Sequence, residues 1–245
     1  MVKAFIKRFA KRFGYEIVGP PRAFAIPRSL IGLIEQEQIN LVLDVGANTG
    51  QFGGDLRAAG YTGRIISFEP LASAHAILRK HAQNDRNWSI ADRTALGAQA
   101  GEVEMHVSGN SVSSSILGML PSHAKAEPES DYVGTETVPV NRLDDITSLT
   151  STDRVLLKID VQGYETQVLE GARSVLGSCR AVISEMSLVP LYEGQVLARH
   201  IWDLMEAQNF EPWSLEPCYR HPRTGRMLQF DGLFVRSSKE PPAAP

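Results

Sequence analysis

Apolar and polar positions along the chain follow two rhythms that take turns. Leu41-Val42-Leu43-Asp44-Val45, Arg64-Ile65-Ile66-Ser67-Phe68 and Arg154-Val-Leu-Leu-Lys-Ile-Asp160 are short runs, apolar on both faces. Such runs predict buried strands of a parallel sheet. Trp88–Ala91 and Arg180–Glu185 add two more. Between the strands, apolar residues recur at helical spacing. Leu30, Ile31, Leu33 and Ile34 mark a helix over Ser29–Gln38, capped at Arg28 or Ser29. Gln51–Ala59 is a second helix, closed by Gly60, and Ser73–His81 a third. Glu165–Leu176 carries Val168, Leu169, Ala172 and Val175 on one face and stops at Gly177; Gln195–Ala207 is the last. Strand and helix in alternation predict one doubly wound α/β domain.

Two segments break the alternation. Glu102–Val107 switches polar and apolar with period two, the sign of a half-buried antiparallel strand. Ser108–Thr137 then shows little periodicity, and a loop of that length in a compact domain is functional or disordered. Residues 98–140 are therefore the candidate acceptor lid, with Ser113, Ser114 and Ser115 as hydrogen-bonding groups and His106 and His123 as reserve bases. Thr137–Val140 resumes an extended pattern, and Leu143–Ile146 starts a short helix. Near the end, Phe210–Leu215 and Leu228–Arg236 predict a closing antiparallel hairpin. The tail, 237–245, is polar and rich in Pro and Ala, so disorder is expected.

Composition narrows the class. The chain has 245 residues and a net charge of −3, which suits one soluble domain rather than a polyelectrolyte binder. Cys179 and Cys218 have no metal-ligand spacing, so neither zinc nor a disulfide framework is indicated and a cytoplasmic setting is expected. The N-terminus differs. Lys3, Lys7, Arg8, Lys11 and Arg12 oppose an apolar face of Val2, Phe5, Ile6, Phe9 and Phe13. As a helix, residues 1–27 with their Pro-rich linker offer either a surface for anionic lipid or a face that packs on the domain. With no basic stripe beside the predicted crevice, nucleic acid is not expected as a substrate.

The chemistry concentrates after the first strand. Gly46-Ala-Asn-Thr-Gly50 turns the chain into a helix N-terminus, where unbonded N–H groups meet a polar or anionic ligand. Glu69 ends the next strand, about twenty residues on, the spacing at which a carboxylate accepts from a ribose diol. A dinucleotide turn needs a second Gly where this chain has Asn48, so a nucleoside without a pyrophosphate is the better fit, and S-adenosylmethionine is one. Asp92, past the third strand, is either an adenine contact or an ordinary turn residue.

Asp44-Val-Gly-Ala-Asn-Thr-Gly50, Phe68-Glu-Pro70, Ala95-Leu-Gly97, Lys158-Ile-Asp-Val-Gln-Gly-Tyr-Glu165 and Asp231-Gly-Leu-Phe-Val235 resemble the FkbM-type methyltransferases over residues 40 to 236. The resemblance implies a class I Rossmann-like domain with a seven-stranded sheet, spanning 28–236. It also implies S-adenosylmethionine as cofactor and an O-methyl acceptor among sugars and secondary metabolites. By the same resemblance Asp44, Gly46, Asn48 and Gly50 with Glu69 are donor contacts.

A second constellation supplies the acceptor side. Asp160 and Glu185 end their strands and are expected to converge with Asp44 at the carboxyl edge of the sheet. A hydroxyl acceptor gains from a carboxylate that takes its proton, so Asp160 is the first candidate base and Glu185 the second. Lys158 is either an acceptor contact or an ion-pair partner. No metal cluster is visible, and a small-molecule or glycolipid acceptor is the expected partner. Competing readings are a nicotinamide oxidoreductase, disfavoured by Asn48, and a non-catalytic nucleoside-binding module.

Overall fold

The chain was analysed as a computed structural model that describes residues 26–110, 112–121, 123 and 128–238. In order, the elements that build the sheet and its layers are α1 (Arg28–Gln36), β1 (Leu41–Val45), α2 (Gln51–Ala58), β2 (Arg64–Phe68), α3 (Ala72–Ala82) and β3 (Trp88–Ile90). β4 (Ala95–Leu96), β5 (Gly101–Ser108), β6 (Tyr132–Asn141) and α4 (Leu143–Ile146) follow. The second half holds β7 (Val155–Ile159), α5 (Glu165–Glu170), α6 (Arg173–Ser178), β8 (Cys179–Ser187), α7 (Ala198–Ala207), β9 (Phe210–Arg220) and β10 (Met227–Arg236).

Seven strands form one sheet in the order β3-β2-β1-β7-β8-β10-β9. The first five are parallel, and β10 runs antiparallel to both neighbours. This is the doubly wound sheet with a closing hairpin that the sequence pattern predicts. Alternation in β1 shows why it is central. Leu41, Leu43 and Val45 pack with Val168, Val175, Ile201 and Met205 of α5, α6 and α7. Val42 points the other way, to Leu30, Leu33, Leu56 and Leu78 of α1, α2 and α3. Every β1 residue is buried, which explains the unbroken apolar run.

Several boundaries differ from the sequence reading. The helix expected over Glu165–Leu176 is two helices that meet at Gly171, where a Cβ would stand 2.0 Å from the Gly97 carbonyl oxygen. Gly177 lies inside α6, not beyond it, and α7 starts at Ala198. α1 has Pro27 at its N-cap, not Arg28 or Ser29, and no side-chain cap.

The candidate lid is more regular than its sequence suggests. β6 begins at Tyr132, five residues before the expected extended stretch, and pairs with β5 and β4 in a second, three-stranded sheet. Residues 1–25 and 239–245 lie outside the described residues, so the basic N-terminal face does too. Of the tail expected to be disordered, Ser237 donates its backbone N–H to the Asn209 carbonyl. Among the described residues no helix is long and apolar enough to cross a membrane.

Candidate active site

Register places the polar residues before any side-chain contact is considered. Asp44 sits opposite Ser67 on β2 and opposite Lys158 on β7, one polar row across three parallel strands. Ser67 Oγ donates to Asp44 Oδ2 at 3.0 Å and accepts from the Trp88 indole at 3.0 Å. Lys158 Nζ lies 3.4 Å from Asp44 Oδ1 and 3.5 Å from Asp160 Oδ2, and donates to the Gly46 carbonyl at 3.0 Å. Burial lowers the affinity of that amine for its proton, but Asp160 and Asp44 outweigh the effect and raise the Lys158 pKa. Lys158 is thus an ion-pair partner that ties the two strand-end acids together.

The glycine turn is built around contacts that exclude a Cβ. Gly46 has φ +73°, and a Cβ there would lie 1.8 Å from the Asp160 carbonyl oxygen. Asn48 takes φ +48°, sparsely populated for a residue with a side chain. Its backbone N–H donates to Glu69 Oε2 at 2.8 Å, while Leu71 N–H donates to Glu69 Oε1 at 2.9 Å. Burial pushes the Glu69 carboxyl up to about 7, against the pull of those two amides. The turn therefore carries acceptors. Gln51 Oε1 is buried and accepts no hydrogen bond among the described residues, Asp44 Oδ1 has only its ion pair with Lys158, and each Glu69 oxygen keeps a lone pair. Unused acceptors of this kind fit a ligand rich in donors, such as the ribose diol and α-ammonium of S-adenosylmethionine. Asp92 is exposed just past β3.

On the acceptor side, Asp160 and Glu185 do meet, through a residue that sequence reasoning passed over. Gln162 Nε2 donates to Asp160 Oδ1 and to Glu185 Oε2, both at 2.9 Å. Gln229 Nε2 also donates to Glu185 Oε2, and Cys218 Sγ stands 3.8 Å from Glu185 Oε1. Glu185 is not a strand-end residue as expected. β8 continues to Ser187, so this carboxyl is nine-tenths covered and pairs across the sheet with Asp231 of β10. Burial, then the charges of Asp160, Glu165 and Asp231, hold its pKa well above the usual carboxylate range. Burial likewise raises Asp231 and Glu165 to about 7. The Asp160 side chain, 31% exposed, is the accessible member of this set.

The lid residues resolve into structural and site roles. Ser115 Oγ donates to the Gln162 carbonyl at 2.6 Å, and Ser114 Oγ accepts from Ser108 N–H. Ser113 Oγ accepts from the Asn110 amide. All three serines are buried, so their hydroxyls bind the lid to itself and to the site rather than facing an acceptor. The His106 ring stacks on Tyr132 at 4.7 Å. His123 is 2% exposed against the Tyr192 and Tyr219 rings, and burial lowers its pKa. His75 Nε2 lies 2.9 Å from the Ala91 carbonyl oxygen. Among the described residues no group of three His, Cys, Asp or Glu side chains is placed to hold a metal ion.

Gln162, Tyr192, Gln229 and Asp231 were missed as site residues. Gln162 and Asp231 stand inside two of the recognised motifs, which was the available signal. Tyr192 and Gln229 reach the cluster only through tertiary packing.

The chain is 27% identical over 207 residues to the 2-O-methyltransferase NoeI of Sinorhizobium fredii, covering 80% of this chain and 82% of that protein. In structure it is similar to a magnesium protoporphyrin IX methyltransferase from Synechocystis PCC 6803 with S-adenosylmethionine bound (13% identity, TM-score 0.46, 96% of this chain and 97% of that one). It is also similar to a putative tRNA methyltransferase of Streptococcus pneumoniae in complex with S-adenosyl-L-methionine (11% identity, TM-score 0.49, 88% and 75%). The model of the methyltransferase FkbM domain matches residues 44–212, more than half of the chain. The chain belongs to the FkbM methyltransferase family, an enzyme whose methyl donor is S-adenosylmethionine rather than a nicotinamide-dependent oxidoreductase.

Proposed function

We propose that this enzyme methylates an oxygen, a sugar hydroxyl of a glycolipid, glycoconjugate or secondary metabolite, with Asp160 taking the hydroxyl proton. The sulfonium of the bound donor supplies an already activated methyl group. What remains for the chain is to hold an acceptor oxygen in line and to receive its proton. The observation that carries the reading is the split among the acids. Asp160 is part-exposed and ion-paired to Lys158, whereas Glu185 is buried with a raised pKa. One carboxylate stays accessible while its neighbour is driven toward its neutral form. That NoeI is named a 2-O-methyltransferase supports oxygen as the accepting atom.

The donor would be held by Asp44, the Gly46–Gly50 turn, Gln51 and Glu69, with Asp92 at its outer edge. The second sheet and residues 112–115 would form the lid over the acceptor, fastened by the Ser115–Gln162 contact. Transfer of tritiated methyl into a cell glycolipid extract tests the assignment, run beside calorimetric titration with S-adenosylhomocysteine. Label that survives mild base hydrolysis and elutes with sugar, and is absent with Asp160→Asn, is the expected outcome. Label on protein, nucleic acid or a carboxyl ester instead would overturn it.

A further inference from the structure

We propose that Gln162 is the positioning residue of the acceptor site: oriented by Tyr192, its amide aims Asp160 at the acceptor and keeps Asp160 and Glu185 in unequal roles. The inference rests on the reading of Asp160 as the proton acceptor.

Gln162 occupies a strained place for a purpose the local chain does not need. Its φ is +54°, followed by Gly163 at +98°, and a side-chain residue in that region costs energy unless its surroundings impose it. The surroundings do impose it. Ser115 Oγ binds the Gln162 carbonyl, and Glu165 Oε1 accepts from Val161 N–H and Gly163 N–H on either side. An Ala or Gly would satisfy that loop equally well. Only the side chain explains why a glutamine stands there.

That side chain has one usable orientation. Tyr192, with 0% exposure, donates its hydroxyl to Gln162 Oε1 at 2.7 Å. The contact turns the amide so that both hydrogens of Nε2 point away from the tyrosine, one to Asp160 and one to Glu185. Reversed, the amide oxygen would face two carboxyl groups and the tyrosine would keep only the longer contact to the Ser113 carbonyl, at 3.4 Å. Asp160 then has one fixed donor on each oxygen, Gln162 on Oδ1 and Lys158 near Oδ2, and its ring of lone pairs is reduced to those facing the crevice.

The charged and titratable groups around the amide are Lys158 from β7, Asp44 from β1, Glu165 from α5, Glu185 from β8, Cys218 from β9, Asp231 from β10 and Tyr192 before α7. Lys158 is the one cation in that set, and it sits on the Asp44–Asp160 side. Gln162, Gln229 and the Cys218 thiol are the donors on the Glu185 side.

Carboxyl carbon NMR titration of the full chain, labelled at Asp and Glu, decides the matter without an acceptor. In Gln162→Met the Glu185 midpoint should move up, since its carboxylate loses the Gln162 N–H donor. Tyr192→Phe, which removes one oxygen and keeps the packing, should move it the same way by less. In turnover kcat should fall, with KM for S-adenosylmethionine and affinity for S-adenosylhomocysteine unchanged. A Glu185 midpoint that stays put in Gln162→Met, or in Tyr192→Phe if the first variant does not fold, overturns the proposal. So does a joint loss of donor binding and turnover, which marks a purely structural residue. Should the wild type methylate no hydroxyl, the functional reading fails on its own, while the midpoints still decide what Gln162 does.

Discussion

Lys158 lies 3.4 Å from Asp44 and 3.5 Å from Asp160, so one buried ammonium serves the last acid of β1 and the acid that follows β7. The first belongs to the strand that leads into the turn proposed to face the donor, the second to the group proposed to face the acceptor. Both halves of the site are thereby locked to one side chain, and the geometry of each depends on it.

Removing that cation should therefore be costly. Asp44 is fully buried and would be left with Ser67 as its only partner among the described contacts. Breaking a buried pair by deleting one partner costs about 3–5 kcal/mol. Lys158→Met is expected to lower the urea unfolding free energy by that order, whereas removal of the part-exposed partner in Asp160→Asn should cost much less. Equal losses in the two variants would show that Lys158 is held mainly by Asp160.

Glu69 should matter to the donor rather than to the chemical step. Its two oxygens accept from Asn48 N–H and Leu71 N–H, and each keeps a further lone pair. Glu69→Ala is expected to weaken S-adenosylhomocysteine binding by about 1–3 kcal/mol in calorimetry, the range for a hydrogen bond to a charged group. Asp160→Asn should leave that affinity close to wild type while turnover falls. Equal damage to binding from both would reverse the assignment of the two acids.

How much of this was legible in the chain depends on the range of the interaction. Leu41–Val45 and Val155–Ile159 announced central strands because burial on both faces leaves no polar position to alternate with. Asp44, Glu69 and Asp160 were legible because strand-end acids follow from that assignment. Glu185 was misplaced at a strand end, since nothing local shows that β8 runs on to Ser187 beside β10. The break at Gly171 was likewise hidden. Its cause is the Gly97 carbonyl, more than seventy residues away in sequence, and not the residues on either side. Tyr192 had no local signal at all, because its hydroxyl finds Gln162 only after the chain returns across the lid.

The two glycines of that region make a paired test. A Cβ on Gly171 would stand 2.0 Å from the Gly97 carbonyl oxygen, which is backbone and cannot swing aside. Gly171→Ala is expected to destabilise by about 1–3 kcal/mol through overpacking. Gly177 is exposed inside α6 with nothing within 4 Å of an added Cβ. Gly177→Ala should instead stabilise by about 0.5–1 kcal/mol through helix propensity. Thermal unfolding of the two variants reads both signs, and a neutral Gly171→Ala would mean that α5 and α6 can slide off β4.

Stability should also fall as pH rises through the range in which the buried acids lose their protons. Burial raises Glu165 from 4.5 to about 7, so between those values the folded chain holds a proton that the unfolded chain has released. With more protons bound in the native state, the unfolding free energy decreases with pH, and the contribution present below about pH 4.5 is lost on passing about pH 7. Glu69, also raised to about 7, and Asp231, raised from 3.8 to about 7, act with the same sign. Glu165→Gln isolates one of these groups. A glutamine keeps an oxygen to accept from Val161 N–H and Gly163 N–H, as Glu165 Oε1 does, but never has to ionise. The variant should match wild type in urea at pH 5 and exceed it at pH 8, by an amount bounded by about 3 kcal/mol for a shift of this size. A wild-type advantage at pH 8 would mean that the Glu165 carboxylate is stabilised by its amide donors more than burial opposes it.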